Sequence, residues 1–178
     1  MKTVNLKDGR KITIRNASKS DAASMLKFID IICRETAYLT FGEGEFQMSI
    51  EEEENLIESK SKTDNALFLV AEINDEIVGN LSFSAGMRKR LRHVGEFGVS
   101  VRGDHWGLGI GRALIEYLID WAGTTGIVRK INLRVRTDNE KAIKLYKSLG
   151  FEVEGRLLRD LMIDNKFFDS YQMGLKLD

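Results

Sequence analysis

The spacing of hydrophobic positions changes several times along the chain, and each change marks an element. Short β-type runs over 4–6 and 11–15 flank Asp8-Gly9, a pair that favours a tight hairpin turn. Ala22, Met25, Leu26, Ile29 and Cys33 then form a helical stripe, with Ser18 and Asp21 at capping-box spacing before it. After a polar stretch over 40–47, Ser49 opens a second helix that carries Glu51 to Glu54 in its first turns. Acidic side chains favour the positive end of a helix, so this run reads as end stabilisation ahead of substrate binding. Apolar and β-branched runs over 67–73 and 76–84 read as strands joined through Asn74-Asp75, and a third strand follows over 94–101. Helical spacing returns in Ile110, Ala113, Leu114, Tyr117, Leu118 and Trp121. A strand over 130–135, a helix around Tyr146 and two strands over 151–161 and 166–176, turning at Asp164-Asn165, complete the pattern. Hairpins outnumber crossovers, which predicts an α+β fold with a mixed, mostly antiparallel central sheet flanked by helices. No linker, repeat or low-complexity tract interrupts it, so residues 1–178 are expected to form a single domain.

Composition narrows the function classes. The chain carries 27 basic and 27 acidic residues, so no overall field recruits nucleic acid or an anionic membrane. It has no apolar run of about 18 residues and no signal-peptide pattern at its start, and a cytoplasmic protein with no membrane partner is expected. The single cysteine, Cys33, lies among apolar helix positions and reads as a small core residue rather than a catalytic thiol. Two lone histidines, His93 and His105, do not make a metal site, so no metal is expected.

Chemistry concentrates where the strand over 94–101 meets the next helix. Glycines at 107, 109 and 111 let backbone N–H groups approach a ligand closely. The first helical turn adds unpaired donors at the positive end of its dipole, so loop and helix together form a site for phosphate groups. A dinucleotide fingerprint counted from Gly107 would need a third glycine where Arg112 stands, and a P-loop would need Lys and Ser or Thr after Gly111. Neither spelling fits.

Trp106 through Gly109 to Gly111 resembles the acyl-CoA loop, R/Q-x-x-G-x-G/A, of the GNAT N-acetyltransferase superfamily, with Trp106 departing from the usual Gln or Arg. A second segment, Thr137 to Phe151, resembles that superfamily's N-x-x-A-x-x-L-Y-x-x-x-G-F signature. Its own pattern agrees. Thr137 and Glu140 stand at capping-box spacing, which starts a helix at about residue 138. Asn139 then falls in the first turn and Tyr146 about two turns later on nearly the same side. The resemblance covers most of the chain. It implies a sheet splayed between its fourth and fifth strands, acetyl-CoA as co-substrate, and a homodimer as a common assembly.

It also implies roles. The amides of Gly107, Leu108, Gly109, Ile110, Gly111 and Arg112 would hold the pyrophosphate, with Arg112 adding charge. Val99 and Val101 would offer strand-edge groups along the pantetheine arm, the Val99 N–H facing the thioester carbonyl. Asn139 would contact the cofactor, and the Tyr146 hydroxyl would lie near the thioester sulfur. Gly98 would host a local bulge. An aliphatic amine has a pKa near 10.4 and is almost fully protonated at pH 7, so something must take its proton. Glu96, an acid among apolar strand residues, is the candidate base, with substrate orientation or a salt bridge as its other readings.

Less is expected of the remaining residues. Arg88, Lys89, Arg90 and Arg92 form a basic tip that reads as a solvated turn. Phe28, Tyr38, Phe41 and Phe46 shape either the acceptor site or the core. The expected activity is transfer of acetyl from acetyl-CoA to a primary amine by direct attack, the acceptor being a protein N-terminus, an amino acid or a polyamine. The alternatives are a non-catalytic acyl-CoA sensor and a nucleotide-binding regulatory domain on the same fold.

Overall fold

The computed structural model describes residues 1–177. Eight strands form one sheet: β1 (Lys2–Asn5), β2 (Lys11–Asn16), β3 (Ala66–Ile73), β4 (Glu76–Ala85), β5 (Val94–Val101), β6 (Lys130–Arg136), β7 (Glu152–Ile163) and β8 (Lys166–Lys176). Their order is β1-β2-β3-β4-β5-β6-β8-β7, and every neighbouring pair is antiparallel except β5 with β6. Four helices cover the sheet: α1 (Ala22–Glu35), α2 (Ile50–Ser61), α3 (Ile110–Thr124) and α4 (Glu140–Ser148).

The alternation along β3 shows why two layers form. Leu67, Leu69, Ala71 and Ile73 pack on one face with Ile110, Leu114 and Leu118 of α3. Phe68 and Val70 pack on the other with Met25, Phe28 and Ile32 of α1 and Ile57 of α2. A central strand buried on both faces reads as a continuous apolar run, and residues 67–71 are all buried. Cys33 and Phe28 belong to the α1–α2 layer. Phe41 and Phe46, tilted with centroids 4.9 Å apart, are partly buried against the same layer, so Phe28 alone of the four aromatics is a core residue; Tyr38 is exposed.

Helix ends follow the sequence at two sites and depart from it at a third. Ser18 and Asp21 make a capping box over a 3-10 turn that leads into α1, and Ser49 and Glu52 make another at α2. At α4 the cap is Asn139, not Thr137. The Asn139 Oδ1 accepts the Ala142 N–H at 3.3 Å, while the Thr137 N–H donates to the Asp169 carbonyl. Asparagine caps as well as threonine does, and the tie to β8 keeps residue 137 in the sheet's hydrogen-bond network.

Candidate active site

The site begins where two strands part. β5 and β6 pair only at Val94–Lys130, Gly95–Ile131 and Glu96–Asn132, and the sheet is open beyond that rung. In chain order these are the fifth and sixth strands, one later than the resemblance implies, because both strands of the first hairpin join the sheet. Hydrogen bonds at the two ends of β5 fix which way its backbone faces. The Gly86 N–H donates to the Val94 carbonyl and the Arg102 N–H to the Val78 carbonyl, so the even-numbered residues between them bond β4. The backbone groups of Val99 and Val101, beyond the last rung, therefore face the opening. Gly98 hosts no bulge: the β4–β5 register runs unbroken, and the sheet's irregularity lies between β3 and β4 at Ala71/Glu72. A Cβ at residue 98 would meet nothing within 4 Å, which makes Gly98 a gap beside Val99.

One side of the opening is built for phosphate. Gly107 and Gly109 have φ of 79° and 97°, the left-handed region that other residues enter at a cost of about 1–2 kcal/mol. This geometry turns the chain into α3. Among the described residues the N–H groups of Gly107, Leu108, Gly109, Ile110, Gly111 and Arg112 donate to no protein acceptor; the first bond of the helix is Ala113 N–H to the Gly109 carbonyl. Six amides without partners at a helix N-terminus call for an anion. The first hairpin fastens this loop from outside, since the Lys7 N–H donates to the Leu108 carbonyl and Arg10 meets His105 at 3.3 Å. His105 is buried between Arg10 and Asp104.

Two side chains of the loop are engaged differently from expectation. Arg112 bridges helices, donating to Ser148 Oγ at 2.5 Å and lying 3.5 Å from Glu116. Its guanidinium thus couples the first turn of α3 to the end of α4. Trp106, half exposed, donates its indole N–H to the Val101 carbonyl at 2.7 Å. One of the edge groups expected along the pantetheine is therefore already capped, while the N–H of Val101 and both backbone groups of Val99 remain available.

α4 forms the wall across the opening. Tyr146 is buried, its ring packed edge-on against Phe97 and Phe151 with centroids 6.1 Å away in each case. Among the described residues its hydroxyl has no hydrogen-bond partner, and burial pushes its pKa up to about 12. The phenol therefore stays protonated at neutral pH and is free to donate. Asn139, at the other end of α4, spends its side-chain oxygen on the helix cap. Glu96 lies on the opposite face of β5 from Phe97 and Tyr146, as the alternation of a strand requires. It pairs with Arg134 at 3.2 Å, and Arg134 also lies 3.6 Å from Asp160. The structure thus groups the glycine loop, Val99, Val101 and Tyr146 on one side of the sheet, with Glu96 across it.

Arg136 had no signal in the motifs. It is buried at the end of β6, 3.8 Å over the Phe168 ring and 4.8 Å over Tyr38, and it donates to Asp138 and to the Ala37 carbonyl. These contacts pin the α1–α2 loop beside the opening. The pair Arg136 and Asp138, two residues apart at a strand end, is the only local trace it leaves in the sequence.

The family model for the acetyltransferase (GNAT) family matches residues 32–151. The chain belongs to this family. It is 35% identical over 106 residues to the L-amino acid N-acetyltransferase AaaT of Escherichia coli, an alignment covering 60% of the chain and 65% of that enzyme. The chain thus spans slightly less than two thirds of that relative's length. It is 27% identical over 164 residues to the spermidine N(1)-acetyltransferase of Vibrio cholerae, covering 91% of each. A GNAT acetyltransferase structure from Streptococcus pneumoniae superposes with a TM-score of 0.90 at 33% identity, over 94% of this chain and 99% of that one. YncA from Salmonella typhimurium, solved with its cofactor acetyl-CoA, superposes with a TM-score of 0.81 at 27% identity over 94% of each chain. The GNAT fold read from the two motifs is the fold found.

Proposed function

We propose that the protein transfers acetyl from acetyl-CoA to a primary amine. The observation that carries this reading is the junction of six unpaired amides with the free edge of β5 and an unpaired phenol. The loop amides from Gly107 to Arg112 suit a pyrophosphate, and the Val99 and Val101 N–H groups suit the amide-bearing pantetheine arm. Acetyl-CoA, when bound, supplies an activated acetyl group as a thioester. The remaining work falls to the chain's own residues.

The N–H of Val99 is fixed toward the opening before any substrate arrives, so it can stabilise negative charge on a carbonyl oxygen without reorganising. The amine approaches from the Glu96 face, passing the gap left by Gly98. As the nitrogen–carbon bond forms and the carbon–sulfur bond breaks, the amine gives up a proton and the sulfur gains negative charge. Tyr146 donates a hydrogen bond to that sulfur. Glu96, paired with Arg134, orients the amine or accepts its proton through water. Amino acids, polyamines and protein N-termini all present the required nitrogen, and the relatives named for an L-amino acid and for spermidine support the first two.

The test is a screen of CoA release from acetyl-CoA against amino acids, polyamines and N-terminal peptides, with thermal melting of the same samples. Acceptor-dependent release supports the enzyme. Melting raised by acetyl-CoA with no release from any acceptor points instead to a sensor.

A further inference from the structure

Beyond the Glu96–Asn132 rung, β5 and β6 run on without each other's hydrogen bonds, so something else must set the distance between their ends. Phe97 packs with the α3 layer, so Glu96 shares the face of the sheet that α1 covers. On that face the end of α1 meets both strands. Glu35, its last residue, accepts the N–H of Gly103, just past β5, at 2.6 Å. Two residues on, the Ala37 carbonyl accepts from Arg136, the last residue of β6, at 2.8 Å. Residues 35–37 therefore form a brace from one lip of the opening to the other. Along β5, Val99 and Val101 lie between the last rung and this brace.

Both ends of the brace are built for the contact. A Cβ at residue 103 would come within 3.2 Å of the Glu35 carboxyl carbon, so a glycine there admits the carboxylate. Gly103 opens the turn that leads into the glycine loop, which puts Glu35 at the root of the phosphate site. Arg136 is 7% exposed. Its guanidinium is fixed by Asp138, at 3.0 and 2.6 Å, and lies 3.8 Å over the Phe168 ring. Asp138 is followed directly by Asn139, the cap of α4, which carries Tyr146. One end of the brace thus holds the root of the loop and the other the root of Tyr146's helix. On the opposite face, Arg112 ties α3 to Ser148 at the far end of α4.

We propose that Glu35 and Arg136 are positioning residues that set the width of the opening for acetyl transfer. This rests on the acetyltransferase reading above. Val99, on β5, and Tyr146, on the helix that starts from β6, have to act on one thioester, the first at its carbonyl oxygen and the second at its sulfur. Those two atoms are bonded to the same carbon, so covalent geometry fixes their separation. The groups that meet them must hold position to within about 0.5 Å. Tyr146 leans on Phe97, but its helix starts from the end of a strand that β5 no longer pairs. The brace supplies the missing connection. A misplacement of about 1 Å costs about 100-fold in rate. Glu35 and Arg136 touch neither reacting atom, so their loss lowers kcat more than it weakens acetyl-CoA binding.

The experiment measures kcat, KM for acetyl-CoA and melting temperature in Glu35→Ala, Arg136→Met and the double variant, with the acceptor that gives the fastest CoA release. Each single variant should lose about tenfold or more in kcat, with KM for acetyl-CoA changed by less than about threefold. Cutting a brace at either end releases it. The double variant should therefore lose no more kcat than the more severe single, while the two losses in melting temperature add. Glu35→Gln keeps an acceptor for the Gly103 N–H and should recover most of the lost kcat. An unchanged kcat overturns the proposal, and so do losses that multiply in the double variant or that follow the melting temperature. Should Arg136→Met fail to fold, the Glu35 pair decides: full kcat in Glu35→Ala, or an equal loss in Glu35→Gln, overturns the proposal and leaves the acetyltransferase standing. No CoA release from any amine in the wild type removes both.

Discussion

Tyr146→Phe removes one oxygen from a site where that oxygen touches no protein partner. The ring keeps its edge-on contacts with Phe97 and Phe151, and no donor or acceptor is orphaned. Folded stability should therefore move by less than about 0.5 kcal/mol. Catalysis is another matter. A hydrogen bond to a charged acceptor is worth about 1.5–3 kcal/mol, which is about 10- to 150-fold in kcat at 1.36 kcal/mol per decade. Full proton transfer is disfavoured. With the phenol at about 12 and a thiol near 8.5, moving the proton to the thiolate is uphill by about 5 kcal/mol in the free protein. The role is donation rather than transfer. The assay is steady-state CoA release with the best acceptor from pH 6 to 10, with melting temperatures alongside. Because the phenol keeps its proton across that range, the rising limb belongs to the amine and should run parallel in both proteins. An unchanged kcat refutes the reasoning. So does a loss explained wholly by weaker acetyl-CoA binding or a lower melting temperature.

Gly109→Ala forces a Cβ onto a residue at φ 97°, costing about 1–2 kcal/mol and tilting the loop amides; the melting shift given by acetyl-CoA should largely disappear. Glu96→Gln breaks an exposed pair with Arg134 worth about 1 kcal/mol or less, so melting should barely change, while kcat at neutral pH falls if the acid serves the amine; an unchanged rate assigns Glu96 to the salt bridge alone. Hydrogen bonds from Arg15, at 2.7 and 2.8 Å, hold the Asp21 carboxyl below its usual range. The stabilisation is present above about pH 4 and fades as pH falls through the lowered folded-state pKa, so the melting temperature of the wild type should drop more steeply below pH 4 than that of Asp21→Asn.

Period and turn chemistry made most of the fold legible. β3 declared itself by an apolar run too short for a helix, and the Asn74-Asp75 and Asp164-Asn165 turns by residues that tolerate the positive φ they adopt. The glycine loop was equally plain, because φ of 79° and 97° leaves glycine as the residue of least strain. What misled was local competition between equivalent signals. Thr137 and Asn139 both spell a helix cap, and the deciding factor, the Thr137 N–H bonded to Asp169, is a contact between residues far apart in sequence. Gly98 reads as a bulge for the same reason. A strand glycine marks either a kink or an empty space, and only the neighbours distinguish them.

The residues that sequence did not single out share one property: their surroundings depend on what lies across the fold. Arg136 is unremarkable until Tyr38 and Phe168 close on its guanidinium from two separate segments. Glu53 sits inside a run of four glutamates in which the ordinary explanation, a favourable charge at a helix N-terminus, holds for the others. A helix places residues 53, 57 and 60 on one face, and Ile57 and Lys60 both turn toward the sheet, so Glu53 is buried while Glu51 and Glu52 are exposed.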